Sequence, residues 1–567
     1  MFTLLKDFYE LLSLAWHFRI ILWQRAAFFE KEENADLFCR LLKDRGAFFI
    51  KLGQWAAQRT DIGLPQLFYE KLKEMQTDAP KHSWQETLQV CKPFDLSNIE
   101  FEDKDPTTNL PVPIKSGSIA QVYRVQSTIS NFQHMQEGKF IHIPADVDPE
   151  RKIRFAFKVC HPGVAEMYSK TLRIIKNIYL ILQWYMGKNS LLFLFNIHEV
   201  ITQEFQRQTN MICEAEQCLK IREDFGKNPY ANVPFPCFAS ENFFFLQYIE
   251  NAIFYDDIGV AGKDPTFYAN DRELQETKML AKQMTLAAFF QMVLYNGRSH
   301  GDCHAGNILY RLTPKDRSVY LHELEEMQKH HIVGRPLCVS PASIQVFFID
   351  FGIVVDISKE FQNTMIDLTV SINACDSRLM AKTFEKFLVD RDQMPTEKLQ
   401  AFRHDCDLAN ERLCEKDRIG PGTTLQDQIG TILETFRKHR LCLDTSALRV
   451  IISWLLIDAN TPVYGREDNL PDNTIRWISA EDIHDYFHLH EITSFIIGAR
   501  ESRILKEKAR ENGINQEYQA PNLDFLRSKQ QNRREQAHEM LQILETPKDE
   551  TTPKTVKTEK KRRIKLQ

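Results

Sequence analysis

The sequence lacks any run of about 18 uninterrupted apolar residues, the length that a membrane-spanning helix requires. Its longest apolar stretches, Ile178 to Met186 and Leu191 to Ile197, are interrupted by Gly187, Lys188 and Asn189, and read either as core helices or as an interfacial helical hairpin. No C-x-x-C pair occurs among the 12 cysteines, which excludes a zinc ribbon and a thioredoxin-type redox motif. Spread from Cys39 to Cys442, they suit reduced thiols of a cytosolic, nuclear or mitochondrial-matrix compartment. An excess of one charge sign is missing as well. Acids number 77 against 72 Lys and Arg, a net charge of -5, which gives no reason to expect a nucleic-acid partner. Part of that balance is a cancellation, because residues 548–567 hold eight Lys or Arg against three acids. What is plentiful is phenylalanine, with 39 copies in 567 residues.

Helical spacing covers Leu37 to Leu72, and Leu4, Phe8, Leu11, Leu12 and Ala15 fall near it, which allows an amphipathic membrane-surface helix or one packed on its own protein. Asp103 to Pro113, rich in Pro, Asp and Thr, reads as a linker. Period-two alternation at Ile119 to Val125 and at Arg154 to Val159 predicts strands. Helical patterns dominate Glu199 to Phe225 and Glu273 to Tyr295, and almost everything after Lys359 to about Lys508; a charged insert, LHELEEMQKHH, separates two short apolar strands. The expected division is an N-terminal apolar or amphipathic helix at 1–36, a helical extension at 37–110, and a β-rich lobe with a helical insert at 111–250. A mainly helical lobe at 251–508 and a solvated basic tail at 509–567 complete it.

Two segments carry chemistry, HGDCHAGN from His300 to Asn307 and FIDFG from Phe348 to Gly352. Phosphoryl transfer needs an acidic group near the acceptor oxygen and oxygen ligands for Mg²⁺. Asp302 matches the first, and Asn307 and Asp350 the second. The interval from Asp302 to Asn307 equals that in the kinase catalytic loop H-R-D-x-x-x-x-N, and Asp350 opens a D-F-G after an apolar strand. A competing H-x-D-x-H metal cluster of His300, Asp302 and His304 leaves Asn307 and the D-F-G unexplained.

Upstream, FAFKV places Lys158 in the slot of the kinase strand lysine that meets the α/β-phosphates. A lysine within an apolar strand is costly to bury without an anionic partner. That partner should be a helical glutamate; Glu214 is the first choice, with Glu204 and Glu216 as alternatives. The long interval between Lys158 and Glu214 implies a helical insert. PIKSGSIAQVY offers one glycine, Gly117, where a protein kinase carries G-x-G-x-x-G, so Ser116, Gly117 and Ser118 are the candidate nucleotide-loop residues without a multi-glycine lid.

Together these residues resemble the UbiB family of atypical kinases, also called aarF-domain-containing kinases, from about Leu37 to Leu505: K-x-G-Q at Lys51, Gly53 and Gln54, the loop SGSIAQV, the strand lysine followed by HPGV, H-x-D-x-H-x-G-N and the D-F-G. The resemblance implies an α+β, protein-kinase-like two-lobe fold with an N-terminal K-x-G-Q helical extension and helical inserts. It further implies ATP or ADP with Mg²⁺ as cofactors, with Lys51 and Gln54 near the nucleotide, and an extension that obstructs a protein substrate. A mitochondrial, inner-membrane-associated role in ubiquinone biosynthesis follows from it too, with membrane lipid or coenzyme Q pathway components as partners and an unknown phosphoryl acceptor. Two departures stand out. Gln208, Thr209 and Asn210 occupy the slot where the family has E-x-D, whose Glu can hold the K-x-G-Q lysine, and Gly117 replaces a common alanine. The expected activity is that of an atypical kinase or ATPase; the alternatives are a catalytically weak nucleotide-binding scaffold and a conventional protein kinase, against which the missing A-P-E after the D-F-G counts.

Overall fold

The computed structural model describes, with short interruptions, residues 81–186, 208–330, 344–419 and 435–458, and shorter pieces between 13 and 74. All belong to one compact unit, Met1–His490; a second unit, Glu491–Gln567, lies outside the described residues. So do Leu4, Phe8, Leu11 and Leu12, Lys51 and Gln54, Leu191 to Ile197, Glu204 and the basic tail.

In chain order the N-terminal half runs α1 (Asn34–Asp44), α2 (Gln66–Glu74), α3 (Trp84–Val90), β1 (Glu100–Phe101), β2 (Lys115–Ser116), β3 (Ala120–Ser127), α4 (Ile129–Gln133), β4 (Lys139–Phe140), β5 (Ile153–Cys160), α5 (Val164–Met186), α6 (Met211–Phe225), β6 (Ala231–Asn232), β7 (Pro236–Ala239) and β8 (Phe243–Gln247). One antiparallel sheet has the order β1-β3-β5-β8-β7-β4, with β2 paired to β3. Because β1 is an edge strand of this sheet, the β-rich lobe begins before residue 111. α6 packs on β7 and β8. This is the smaller lobe of a kinase-like fold.

Alternation makes the sheet two-faced. Phe155, Phe157 and Val159 of β5 and Phe243 and Phe245 of β8 are fully buried, joined by Phe101, Tyr123, Phe132, Phe235 and Phe238. Rings interlock edge to face or stacked, as at Phe157 and Phe245, whose centroids lie 4.4 Å apart at 14°. This cluster is one destination of the phenylalanine excess. Lys158, between Phe157 and Val159, necessarily points to the opposite face, in register with Phe244 of β8.

The second lobe carries β9 (Ile253–Phe254), α7 (Asp271–Phe290), β10 (Arg298–His300), β11 (Ile308–Leu312), α8 (Arg317–Lys329), β12 (Ile344–Phe348), β13 (Val354–Asp356), α9 (Lys359–Ala374), α10 (Ser377–Lys386), α11 (Thr396–Ile419) and α12 (Thr445–Asp458). β11 and β12 pair antiparallel within the order β6-β12-β11-β9, while β10 pairs antiparallel with β13. α7 continues into a π-helical turn, Gln291–Asn296, and stops at Gly297, whose φ of 72° puts it in the left-handed region. A Cβ there would sit 3.1 Å from the Gln362 amide and 3.2 Å from the Ile357 carbonyl. The chain therefore reverses tightly into β10, which delivers the loop after His300. No described helix is long and apolar enough to cross a membrane.

Asp103 to Pro113 is not a linker. Arg124 pairs with Asp103 at 2.7 Å and Glu102 with Arg154 at 2.7 Å, Lys104 bridges to Pro111, and Asp105 accepts the N–H groups of Thr107 and Thr108. Pro, Asp and Thr also build side-chain-capped turns, so composition alone misleads here. The charged insert forms α8 between β11 and β12. Replacing Phe157 with Ala should lower the unfolding free energy by about 3–5 kcal/mol, read as the shift of the urea midpoint; a loss below about 1 kcal/mol would mean that the aromatic face does not hold the sheet.

Candidate nucleotide and phosphoryl-transfer site

Asn210 caps α6, its side-chain oxygen accepting from the N–H groups of Ile212 and Cys213. This fixes the register of the first turn, where Glu214 lies with a side chain only 2% exposed. Its Oε1 accepts from Lys158 Nζ at 2.7 Å, and Asp350 Oδ1 accepts from the same ammonium at 3.2 Å. Glu216, two residues on, instead pairs with Lys139 at 2.6 Å. Burial works against the Lys158 ammonium, but the Asp350 and Glu214 carboxylates outweigh it and hold its pKa above the ordinary lysine value. Burial also raises the Glu214 carboxyl, to about 7, with Lys158 pulling it down. Glu214 is thus the sequestered partner, whereas Asp350, 48% exposed, faces the cleft.

Asp350 has φ 65°, a left-handed conformation that Asp tolerates better than most non-glycine residues. The preceding N–H, of Ile349, donates to the Asn307 carbonyl at 2.9 Å. His300 is buried; its Nε2 bonds the Ile349 carbonyl at 3.1 Å, while Nδ1 accepts the Asp302 N–H at 3.1 Å. Those partners define a neutral ring that donates through Nε2, and burial lowers its pKa accordingly. With both nitrogens engaged, His300 is no metal ligand, which sets aside the H-x-D-x-H reading. Gly301 is required sterically, since a Cβ there would meet Ile353 Cγ2 at 2.5 Å. Asn307 donates its amide to the Asp302 carbonyl at 3.0 Å, leaving its Oδ1 as the ligand-type atom.

Oxygen donors of this kind suit a hard cation such as Mg²⁺. Buried Gln208 adds a side-chain oxygen with no hydrogen-bond partner among the described residues, and its chain packs where a Cβ on Gly352 would come within 2.9 Å of Gln208 Cγ. A buried oxygen placed beside the D-F-G fits a hard cation or its water shell. The two departures from E-x-D thus have places in the fold: Asn210 as helix cap, Gln208 against Gly352.

The loop at 116–118 is turned inward. Ser116 and Ser118 are buried, Ser118 hydrogen-bonds Tyr168, and Gly117 N–H donates to the Ala120 carbonyl at 2.8 Å. A Cβ on Gly117 would meet that carbonyl at an ordinary 3.5 Å, so the backbone itself does not demand glycine. A chain of hydrogen bonds holds the loop from outside. His161 Nε2 bonds the Gly117 carbonyl at 2.9 Å and must donate; His161 Nδ1 then accepts from His82 Nδ1 at 2.7 Å, and His82 Nε2 accepts from Thr87 at 2.9 Å. Burial, then the neighbouring His161, brings the His82 pKa down to about 4, with Glu86 opposing; burial lowers His161 too, against its Gly117 bond and Glu86.

Sequence reasoning missed Lys115. Its Nζ donates to the Gly306 carbonyl at 3.0 Å and lies 4.5 Å from the Phe254 ring centroid, bridging β2 to the loop that holds Asp302 and Asn307. Burial lowers its pKa, Asp350 raises it and Lys158 lowers it. The available signal was a lysine immediately before the single-glycine loop.

Lysine, paired glutamate, loop aspartate, asparagine and D-F-G aspartate in this arrangement define a kinase-like site. Residues 148–384 match the ABC1 atypical kinase-like domain. The matched segment holds the strand lysine, the H-x-D-x-H-x-G-N loop and the D-F-G, the motifs that resemble the UbiB family. A mitochondrial ABC1 family protein of Schizosaccharomyces pombe is 27% identical over 76% of this chain and 63% of its own length. Another, from Saccharomyces cerevisiae, is 22% identical over 74% of this chain and 64% of its own. The chain therefore spans somewhat less than two thirds of these relatives. The solved complex of Rv3197 with erythromycin, from Mycobacterium tuberculosis, aligns with 77% of this chain and 97% of its own at 14% identity, with a TM-score of 0.37, too distant a likeness to bear on the site.

Glu214→Gln should leave the fold intact yet lower nucleotide turnover about tenfold or more, because Lys158 would then depend on Asp350 alone; an unchanged rate would remove Glu214 from the site. Protonating the His82–His161 pair puts a second proton between two facing nitrogens. A histidine with a depressed folded pKa contributes stability above pH 6.5 and loses it as pH falls toward about 4. The urea midpoint should therefore drop more over that window in the wild type than in His82→Gln, and parallel slopes would count against the relay.

Proposed function

We propose that this protein is an atypical kinase or ATPase that binds an Mg²⁺-adenine nucleotide between its lobes. The observation that carries the reading is Lys158 held at once by buried Glu214 and cleft-facing Asp350. Lys158 would bind the α/β-phosphates, Glu214 would orient it, and Asp302 would take the proton of the attacking hydroxyl or water, its backbone steadied by His300 and Asn307. Asp350 and Asn307 would hold Mg²⁺, which when bound neutralises phosphate charge. Ser116, Gly117 and Ser118 would form a closed wall near the phosphates rather than a lid. Within the K-x-G-Q extension, Lys51 and Gln54 would lie toward the nucleotide and obstruct a peptide substrate.

Nothing resembling a long activation segment follows the D-F-G: from Gly352 the chain passes through β13 into α9, which favours a small-molecule or lipid-linked role over protein phosphorylation. The family resemblance and the two yeast relatives named as mitochondrial support a place at the mitochondrial inner membrane, in coenzyme Q biosynthesis and lipid homeostasis. The scaffold reading separates by experiment. Purified wild type and Asp350→Asn are compared for Mg²⁺-dependent ATP and ADP turnover, with and without anionic vesicles. The expected result is a loss of about a hundredfold or more in the variant. Equal background rates with retained nucleotide binding would leave the scaffold; absence of adenine-nucleotide binding in the wild type would overturn both.

A further inference from the structure

We propose that Lys115 binds the terminal phosphoryl group of the nucleotide, a second cation on the same face of the sheet as Lys158, across Val122 from it. The inference rests on the nucleotide reading above and deepens it. Lys158 is already committed, with two carboxylates within 3.2 Å. Lys115 differs in kind: among the described residues it makes no ion pair, and its recorded partners are the Gly306 carbonyl, a neutral acceptor, and the face of Phe254. An ammonium has three donors, so one bond to a carbonyl leaves two, and the carboxylate that acts on it from nearby, Asp350, is bonded to Lys158 instead, an under-compensated resting state for a half-buried cation.

Its position selects the phosphate. Gly306 immediately precedes Asn307, and the same short loop begins with Asp302. Lys158 approaches from β5 beside Glu214, on the α/β side, whereas Lys115 approaches from β2 and touches the catalytic loop itself. A phosphoryl group lying between Asp302 and the Asp350–Asn307 pair would come under the Lys115 ammonium. Charge that spreads over the equatorial oxygens during transfer is stabilised by a cation placed there beforehand. The diphosphate product has no group at that place, so Lys115 should distinguish triphosphate from diphosphate, and Phe254 beneath it holds the ammonium in place through its ring face.

The test is titration calorimetry on the full chain with Mg²⁺–adenylyl imidodiphosphate and Mg²⁺–ADP. Lys115→Met should weaken the triphosphate analogue about tenfold or more while changing ADP affinity less than about twofold, and Lys115→Arg should recover most of the loss. Equal weakening of both ligands would identify Lys115 as a structural latch between β2 and the catalytic loop and overturn the proposal, as would unchanged affinity for the analogue. Retained ADP binding by the variant reports that it is folded. A wild type that bound neither ligand would refute the nucleotide site itself, an outcome distinct from loss of selectivity.

Discussion

A lysine ammonium placed in the middle of an aromatic strand is the constraint on which the site depends. Burying it without compensation would cost several kcal/mol, and the fold meets that cost with two carboxylates from distant parts of the chain. Glu214 comes from a helix packed on the sheet and Asp350 from the end of a strand in the other lobe. The same contact that makes Lys158 tolerable therefore ties α6, β5 and the D-F-G together. Removing one carboxylate alters the position of Lys158 and the freedom of the other carboxylate at the same time.

The aromatic face makes that geometry rigid. Strand alternation sends Phe155, Phe157 and Val159 into a ring-packed core and leaves Lys158 no direction but the cleft. A one-residue slip of β5 would exchange Lys158 for Phe157, so the packing that stabilises the lobe also sets the register of its functional residue. In the second lobe the corresponding device is polar. His300 joins the Asp302 backbone to the Ile349 carbonyl, and Asn307 joins Asp302 to the strand before Asp350.

What could be read from sequence follows the range of the interactions. Lys158, Asp302, Asn307 and Asp350 occupy short strand or loop patterns whose spacing carries their geometry, so they were legible. Glu214 was legible only as one of three, because helix phase decides: Glu216 lies two residues further round and meets Lys139 instead. Asp103 to Pro113 misled, since turn-forming residues do not announce whether their turn packs on a sheet. Lys115 was missed although it stands immediately before the single-glycine loop, because its partners, Phe254 and Gly306, come from two segments far along the chain.

The loop at Gly117 shows how these parts limit one another. In a protein kinase several glycines let the loop close over phosphate as a mobile cover. Here its one glycine is bonded through N–H to Ala120 and through its carbonyl to His161, behind which stand His82, Thr87 and the Tyr123 hydroxyl. The two Gly117 bonds must break for the loop to lift, and the donors behind them run in one direction, each polarising the next. A loop held from behind cannot supply charge stabilisation by closing. On the proposed nucleotide reading the cations must instead be in place beforehand, and Lys115 and Lys158, in register on either side of Val122 on one face of the sheet, would substitute preorganised charge for a moving lid.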